Sequence, residues 1–214
     1  MKVSLFFAFF IHCILADSRP SCLAPNAGGV QPIFEEFTSK IPTERIGDLI
    51  TNASASCSKI QAAMEYLSSS ELQGEFENTL VHGEMLSFMS FTCNELYLDM
   101  YSNLKVLFKL VFPRPKNVYP TPSTAKYAGD VTKLLVDIIG LIPFHKIKAR
   151  FQEKSKSDPS LGEYLQKVHS NEFKLIREAV KTSEPYGDLD AKLLKFGVEI
   201  KYINAIIQIT FFDF

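Results

Sequence analysis

Two short stretches decide how this chain is read: Lys40-Ile41-Pro42-Thr43-Glu44-Arg45-Ile46 and Leu141-Ile142-Pro143-Phe144-His145-Lys146-Ile147. Each sets Ile-Pro where one amphipathic helix stops and another starts. A proline ring clashes with a helix continuing through it and restrains the residue before it. The two stretches lie 101 residues apart, 41 falling onto 142. The same shift carries Ser69-Ser70-Glu71-Leu72 onto Ser170-Asn171-Glu172-Phe173, and Tyr101 with Asn103 onto Tyr202 with Asn204. Few other identities survive it, but the apolar pattern does. Ile33, Phe34, Phe37, Ile50, Ile60, Met64, Leu67 and Leu72 meet Leu134, Leu135, Ile138, Phe151, Leu161, Leu165, Val168 and Phe173. A period of about 100 residues reads as one unit present twice.

Within each copy the apolar spacing is helical. Phe34, Phe37 and Ile41 follow i, i+3, i+7, and Ile60, Met64 and Leu67 follow 4-and-3 spacing. Thr43 is placed to cap the helix after Pro42. Asp158-Pro159 supplies an N-cap followed by proline at the first helical position. Ser69 and Ser170 stand ready to cap a fourth helix, and Gly197 to close a fifth in the left-handed conformation. The last helices, read as Leu96 to Phe112 and Val198 to Phe212, are the most apolar. Hairpin turns and period-2 alternation are lacking, so the chain reads as all-α, with about six short helices per copy. Four prolines in Pro113 to Tyr127 block a continuous helix there. The expected organisation is 1–16 signal peptide, 17–29 N-terminal segment, 30–112 first repeat, 113–127 proline-rich linker and 128–214 second repeat.

The leader assignment rests on Lys2, an apolar run from Leu5 to Leu15, and Ala16 before polar residues. It predicts secretion, and makes Asn52-Ala53-Ser54 a usable N-glycosylation sequon. Beyond the leader remain Cys22, Cys57 and Cys93, an odd number that permits one bridge and leaves its pairing open. No histidine sits at ligand spacing from them, so no metal or other cofactor is expected. With 23 basic and 24 acidic residues, and no basic run, the chain lacks the charge of a nucleic-acid binder. Motifs of hydrolases, zinc proteases and nucleotide binders are missing, and His82, His145 and His169 are irregularly spaced. No catalytic residue is assigned, and the chain reads as a non-enzyme.

The Ile-Pro corners, the Tyr66-Leu67-Ser68-Ser69-Ser70-Glu71-Leu72 element, and Ala179-Val180 through Leu193-Leu194-Lys195-Phe196-Gly197-Val198 together resemble the insect allergen-related repeat. The resemblance spans Val30 to Phe214 and is stronger in the second copy. It implies that two repeats pair into a helical shell around an apolar cavity holding fatty acids or phospholipids non-specifically. A digestive or microvillar role in the gut goes with it, in the lumen or at the microvillar membrane. Candidate walls are Phe34, Phe37, Ile46, Ile50, Met64, Leu67, Phe76 and Phe88 in the first copy. In the second they are Leu135, Ile138, Ile147, Phe151, Leu165 and Phe173. Helical periodicity by itself suits a hollow shell and a solid bundle equally. Two other roles accompany the resemblance: nitrile-specifier-like detoxification of plant glucosinolate products, and a structural part at the gut surface.

Overall fold

Both Ile-Pro corners are turns between helices in the computed structural model, which describes Cys22, 29–79, 82–116, Tyr127 and 130–213. The expected signal peptide lies outside the described residues, as do 117–126 of the linker. Ahead of the linker run α1 (Gln31–Thr38), α2 (Thr43–Ser56), α3 (Ser58–Leu67), α4 (Ser70–Thr79), α5 (Gly83–Asn94) and α6 (Met100–Val111). After it come α7 (Val131–Leu141), α8 (Phe144–Lys154), α9 (Pro159–Val168), α10 (Asn171–Thr182), α11 (Glu184–Lys195) and α12 (Ile200–Phe211). There is no strand among the described residues.

Local chemistry accounts for most of these boundaries. Ser69 Oγ accepts the Leu72 amide and Ser170 Oγ the Phe173 amide, each at 3.1 Å, satisfying donors left open at the helix start. Asp158 accepts the Ser160 amide at 3.0 Å and the Gly29 amide at 2.9 Å, tying the N-terminal segment to α9. Thr43 does not act as the expected cap. It is the first residue of α2, directly after Pro42, and its hydroxyl turns back to the Ile41 carbonyl at 3.4 Å.

Under the 101-residue shift the bounds of α3 and α5 recur, 58–67 onto 159–168 and 83–94 onto 184–195, and those of α1, α2 and α4 fall within about three residues of their counterparts. The last helices do not follow it, and they start later than the apolar run suggested. Tyr97 (φ 51°) and Gly197 (φ 76°) sit in the left-handed region and stop the chain from entering the helix until Met100 and Ile200. The turn before α6 holds one residue more than the turn before α12, 95–99 against 196–199. The register there is therefore 100, so Asn103 falls onto buried Ile203 and not onto Asn204. At Gly197 the Val198 amide reaches the Leu193 carbonyl (3.1 Å) and the Gly197 amide the Leu194 carbonyl (2.9 Å), a Schellman closure. A Cβ at 197 would meet Lys59 Cε at 3.3 Å, the flexible end of that side chain, and Val131 Cγ2 at 3.7 Å, an ordinary contact. Gly197→Ala should therefore cost about 1 kcal/mol from backbone strain alone, read as a lower urea midpoint with unchanged slope. An unchanged midpoint would show that the strain is absent.

Helix neighbours are reciprocal between the two stretches. Helix α1 packs on α8 as α7 does on α2, and α4 packs on α11 as α10 does on α5. Likewise α1 lies on α6 and α7 on α12. The helices before the linker thus pack on those after it. Ring contacts cross the same divide: Phe34 with Phe211, Phe37 with Phe144, Tyr66 with Phe196, and Phe88 and Phe91 with Phe173. The halves thus share one core. Cys22 is bridged to Cys93 on α5, while Cys57 carries a half-buried free thiol. No described helix is long and apolar enough to cross a membrane.

Candidate functional site

Helices α1–α3 with α7–α9 pack around buried side chains, whereas the other six helices leave a space between them. That space is a groove of about 870 Å³, partly open to solvent, walled by α4, α5 and α6 on one side and α10, α11 and α12 on the other. Its volume is in the range of sites that enclose small organic ligands. Leu72, Leu104, Phe112, Val180, Leu193, Ile203 and Phe212 are its buried surface. Phe76, Met85, Phe88, Met89, Phe108, Leu189, Ile200 and Ile207 are half-buried along its sides.

The groove exists because α6 and α12 are apolar on more than one face. A surface helix needs one apolar stripe to meet the core. In α6, Leu107 and Val111 fill the core, and Leu104, Phe108 and Phe112 add a second stripe at i, i+4, i+8 on the groove. In α12, Ile206 and Phe211 turn to the core, while Ile200, Ile203 and Ile207 turn to the groove. Met85 and Met89 of α5, unbranched and adaptable, complete a wall suited to irregular apolar partners.

Of the residues expected to line a cavity, Leu67, Phe76 and Phe88 do so. Phe34, Phe37, Ile46, Ile50 and Met64 are in the buried core instead, with Leu135, Ile138, Ile147, Phe151 and Phe173. Leu165 is half-buried against that core. Periodicity marked the faces that turn inward, and in this fold the strongest inward faces meet one another. The groove residues were missed because they sit on second stripes and on the divergent α5. The legible sign was the excess of apolar residues in the final helices. Asn52 is exposed on α2, open to a glycan, while Ser54 of its sequon is buried. His82, His145 and His169 are all exposed and away from the groove.

Polar groups stand at the groove margin. The Tyr186 hydroxyl accepts from Asn204 Nδ2, joining α11 to α12, and burial pushes its phenol pKa up. The Tyr101 hydroxyl donates to Glu77, joining α6 to α4. Lys192 pairs with Glu75 at 2.5 Å and links α11 to α4 outside the groove. Six cationic side chains border the space, Lys105, Lys109, Arg114, Arg177, Lys181 and Lys201, and none of the described lining residues is acidic. The lining also contains no histidine or cysteine. Among the described residues no three His, Cys, Asp or Glu side chains converge as a metal site. The wall can bind apolar matter and attract anions. Its described residues include no carboxylate, imidazole or thiol.

A family model described as insect allergen related repeat, nitrile-specifier detoxification, matches residues 30–204. Protein G12 of Anopheles gambiae is 22% identical over 210 residues, covering 97% of each chain.

Proposed function

The chain belongs to the insect allergen related repeat family, and from that premise we propose that it is a secreted carrier of fatty acids or phospholipids, held by their acyl chains in the groove. The observation that carries this reading is the groove wall itself, apolar along its floor and sides and sized for a small organic ligand. Burying about twelve methylenes contributes a gross ~10 kcal/mol at ~0.8 kcal/mol each, so affinity needs little polar chemistry. Flexible methionines and several phenylalanines suit chains of varied length. The protein acts by binding, without catalysis, in keeping with the chemistry of its wall. Release into the gut lumen or onto microvilli, and a glycan on Asn52, fit the leader-like start and the sequon. The Cys22–Cys93 bridge fits an oxidising compartment.

The family description also names nitrile-specifier detoxification, which makes redirection of a small, unstable plant product the second reading. Organic extraction of purified protein followed by lipid mass spectrometry separates the two. The carrier reading expects fatty acids or phospholipids in near-stoichiometric amount, and less than half as much from Phe108→Arg, which puts a charge on the half-buried wall. Folded protein that yields no lipid and takes none up sinks it. Nitrile formation from a glucosinolate–myrosinase mixture, in proportion to added protein, would favour detoxification.

A further inference from the structure

We propose that the groove selects amphiphiles by the charge of the head group, taking one with an anionic head whose acidic group sits on Arg177. This rests on the carrier reading above and goes beyond it, because an apolar wall alone would bind neutral and charged heads alike. The first observation is the sign of the rim. The chain as a whole is balanced, 23 basic against 24 acidic residues. The groove lining is not: it has six cations and no described anion. Three of those cations are partly neutralised by carboxylates that lie outside the lining. Lys105 is 3.8 Å from Glu77, Lys181 3.1 Å from Glu178 and Lys201 2.5 Å from Glu199. Lys109, Arg114 and Arg177 have no ion pair with a described residue.

Arg177 is the second observation. Its side chain is half-buried, and its guanidinium lies 5.7 Å from the Phe173 ring centre and 5.4 Å from that of Phe212. One donor goes to Gln208 Oε1, and Gln208 Nε2 in turn donates to Asp213 at 2.5 Å. The amide therefore stands between the guanidinium and that carboxylate. A guanidinium has five donors in a planar fork that matches carboxylate or phosphate oxygens two at a time. Two ring faces attract such a group and take part of its water away, but they pair it with no full negative charge. The rings and Gln208 fix its orientation, and its remaining donors are available where the apolar floor ends at Phe212. An acyl chain along Leu104, Phe108 and Ile207 leaves its acidic head at this cation, with Lys109 and Arg114 adding field from the rim.

The test compares lysophosphatidate with the neutral monoacylglycerol of the same acyl chain, titrated against the full chain by calorimetry at low ionic strength. Lysophosphatidate should bind about tenfold tighter, the order of one charge-assisted hydrogen-bonded pair. Added salt should narrow the gap. Arg177→Gln should remove most of the preference by weakening lysophosphatidate binding about tenfold, and Arg177→Lys should keep part of it. If Arg177→Gln does not fold, the exposed pair Lys109→Gln with Arg114→Gln takes its place and should reduce the preference by a few fold. Equal binding of the two lipids overturns head-group selection and leaves the carrier reading intact, whereas binding of neither overturns both. Displacement of lysophosphatidate by equimolar inorganic phosphate would mark a free-anion site and overturn the amphiphile reading.

Discussion

Phe173→Ala should destabilise the protein by about 3–5 kcal/mol, the range for emptying a phenylalanine site in a packed core. Phe173 is 0% exposed, and its ring meets Phe88, Phe91 and Phe212, so that α5, α10 and the end of α12 converge on it. Alanine leaves a cavity among groups that cannot collapse together, because Phe88 and Phe91 are held on α5 and Phe212 at the end of α12. The loss is a large share of the 5–15 kcal/mol typical of a whole domain. Phe88 and Phe91 belong to the first half and Phe173 to the second, so a defect here should weaken both. Urea unfolding should therefore remain a single transition moved to a lower midpoint, and circular dichroism and Phe/Tyr fluorescence should coincide. Two separated transitions, or a loss below about 1 kcal/mol, would falsify the shared core. Leu194→Ala, 58% exposed on α11, is the control and should stay within about 0.5 kcal/mol.

Removing the Cys22–Cys93 bridge is the second large effect. The cysteines are 71 residues apart in sequence, and closing a loop of about 70 residues restricts the unfolded chain by an amount equivalent to about 4 kcal/mol. The bridge also anchors the chain before α1 against α5, one wall of the groove. Cys22→Ser together with Cys93→Ala should lower the urea midpoint by that order, and reduction of the native protein should reproduce the shift. A non-reducing peptide map should contain the Cys22–Cys93 cross-linked peptide. Cys57→Ser should leave map and midpoint nearly unchanged, since its thiol is free. A cross-link through Cys57, or a bridge-free variant as stable as the native chain, contradicts this account.

These outcomes depend on different amounts of what could be read beforehand. The Ile-Pro corners, the serine caps and the Asp158-Pro159 start act within a few residues, so their consequences are written in local order. The same holds for Gly197. Tyr97 was not legible as a left-handed residue, because tyrosine carries no preference for that conformation. Its turn shifts the register of α6 by one, which decides that Leu104 and Phe108 line the groove. The bridge pairing was equally hidden: three cysteines with irregular spacing permit several pairings, and only the approach of Cys22 to α5 selects one.

By itself, the sequence determined an all-helical chain, most of the places where its helices start and stop, and the family to which it belongs. Apolar periodicity also determined which face of each helix turns inward. What those faces meet was decided by the tertiary structure alone. Phe34, Phe37, Phe151 and Phe173 meet other side chains on all sides, whereas Phe76, Phe88 and Phe108 pack on the core and turn part of their surface to the groove. The physical reason is that burial in a core and burial against a cavity require the same residue types at the same spacing. The difference is a matter of distance between helices far apart in the chain. The same distance gathers Lys105, Lys109, Arg114, Arg177, Lys181 and Lys201, scattered through a near-neutral chain, around one groove.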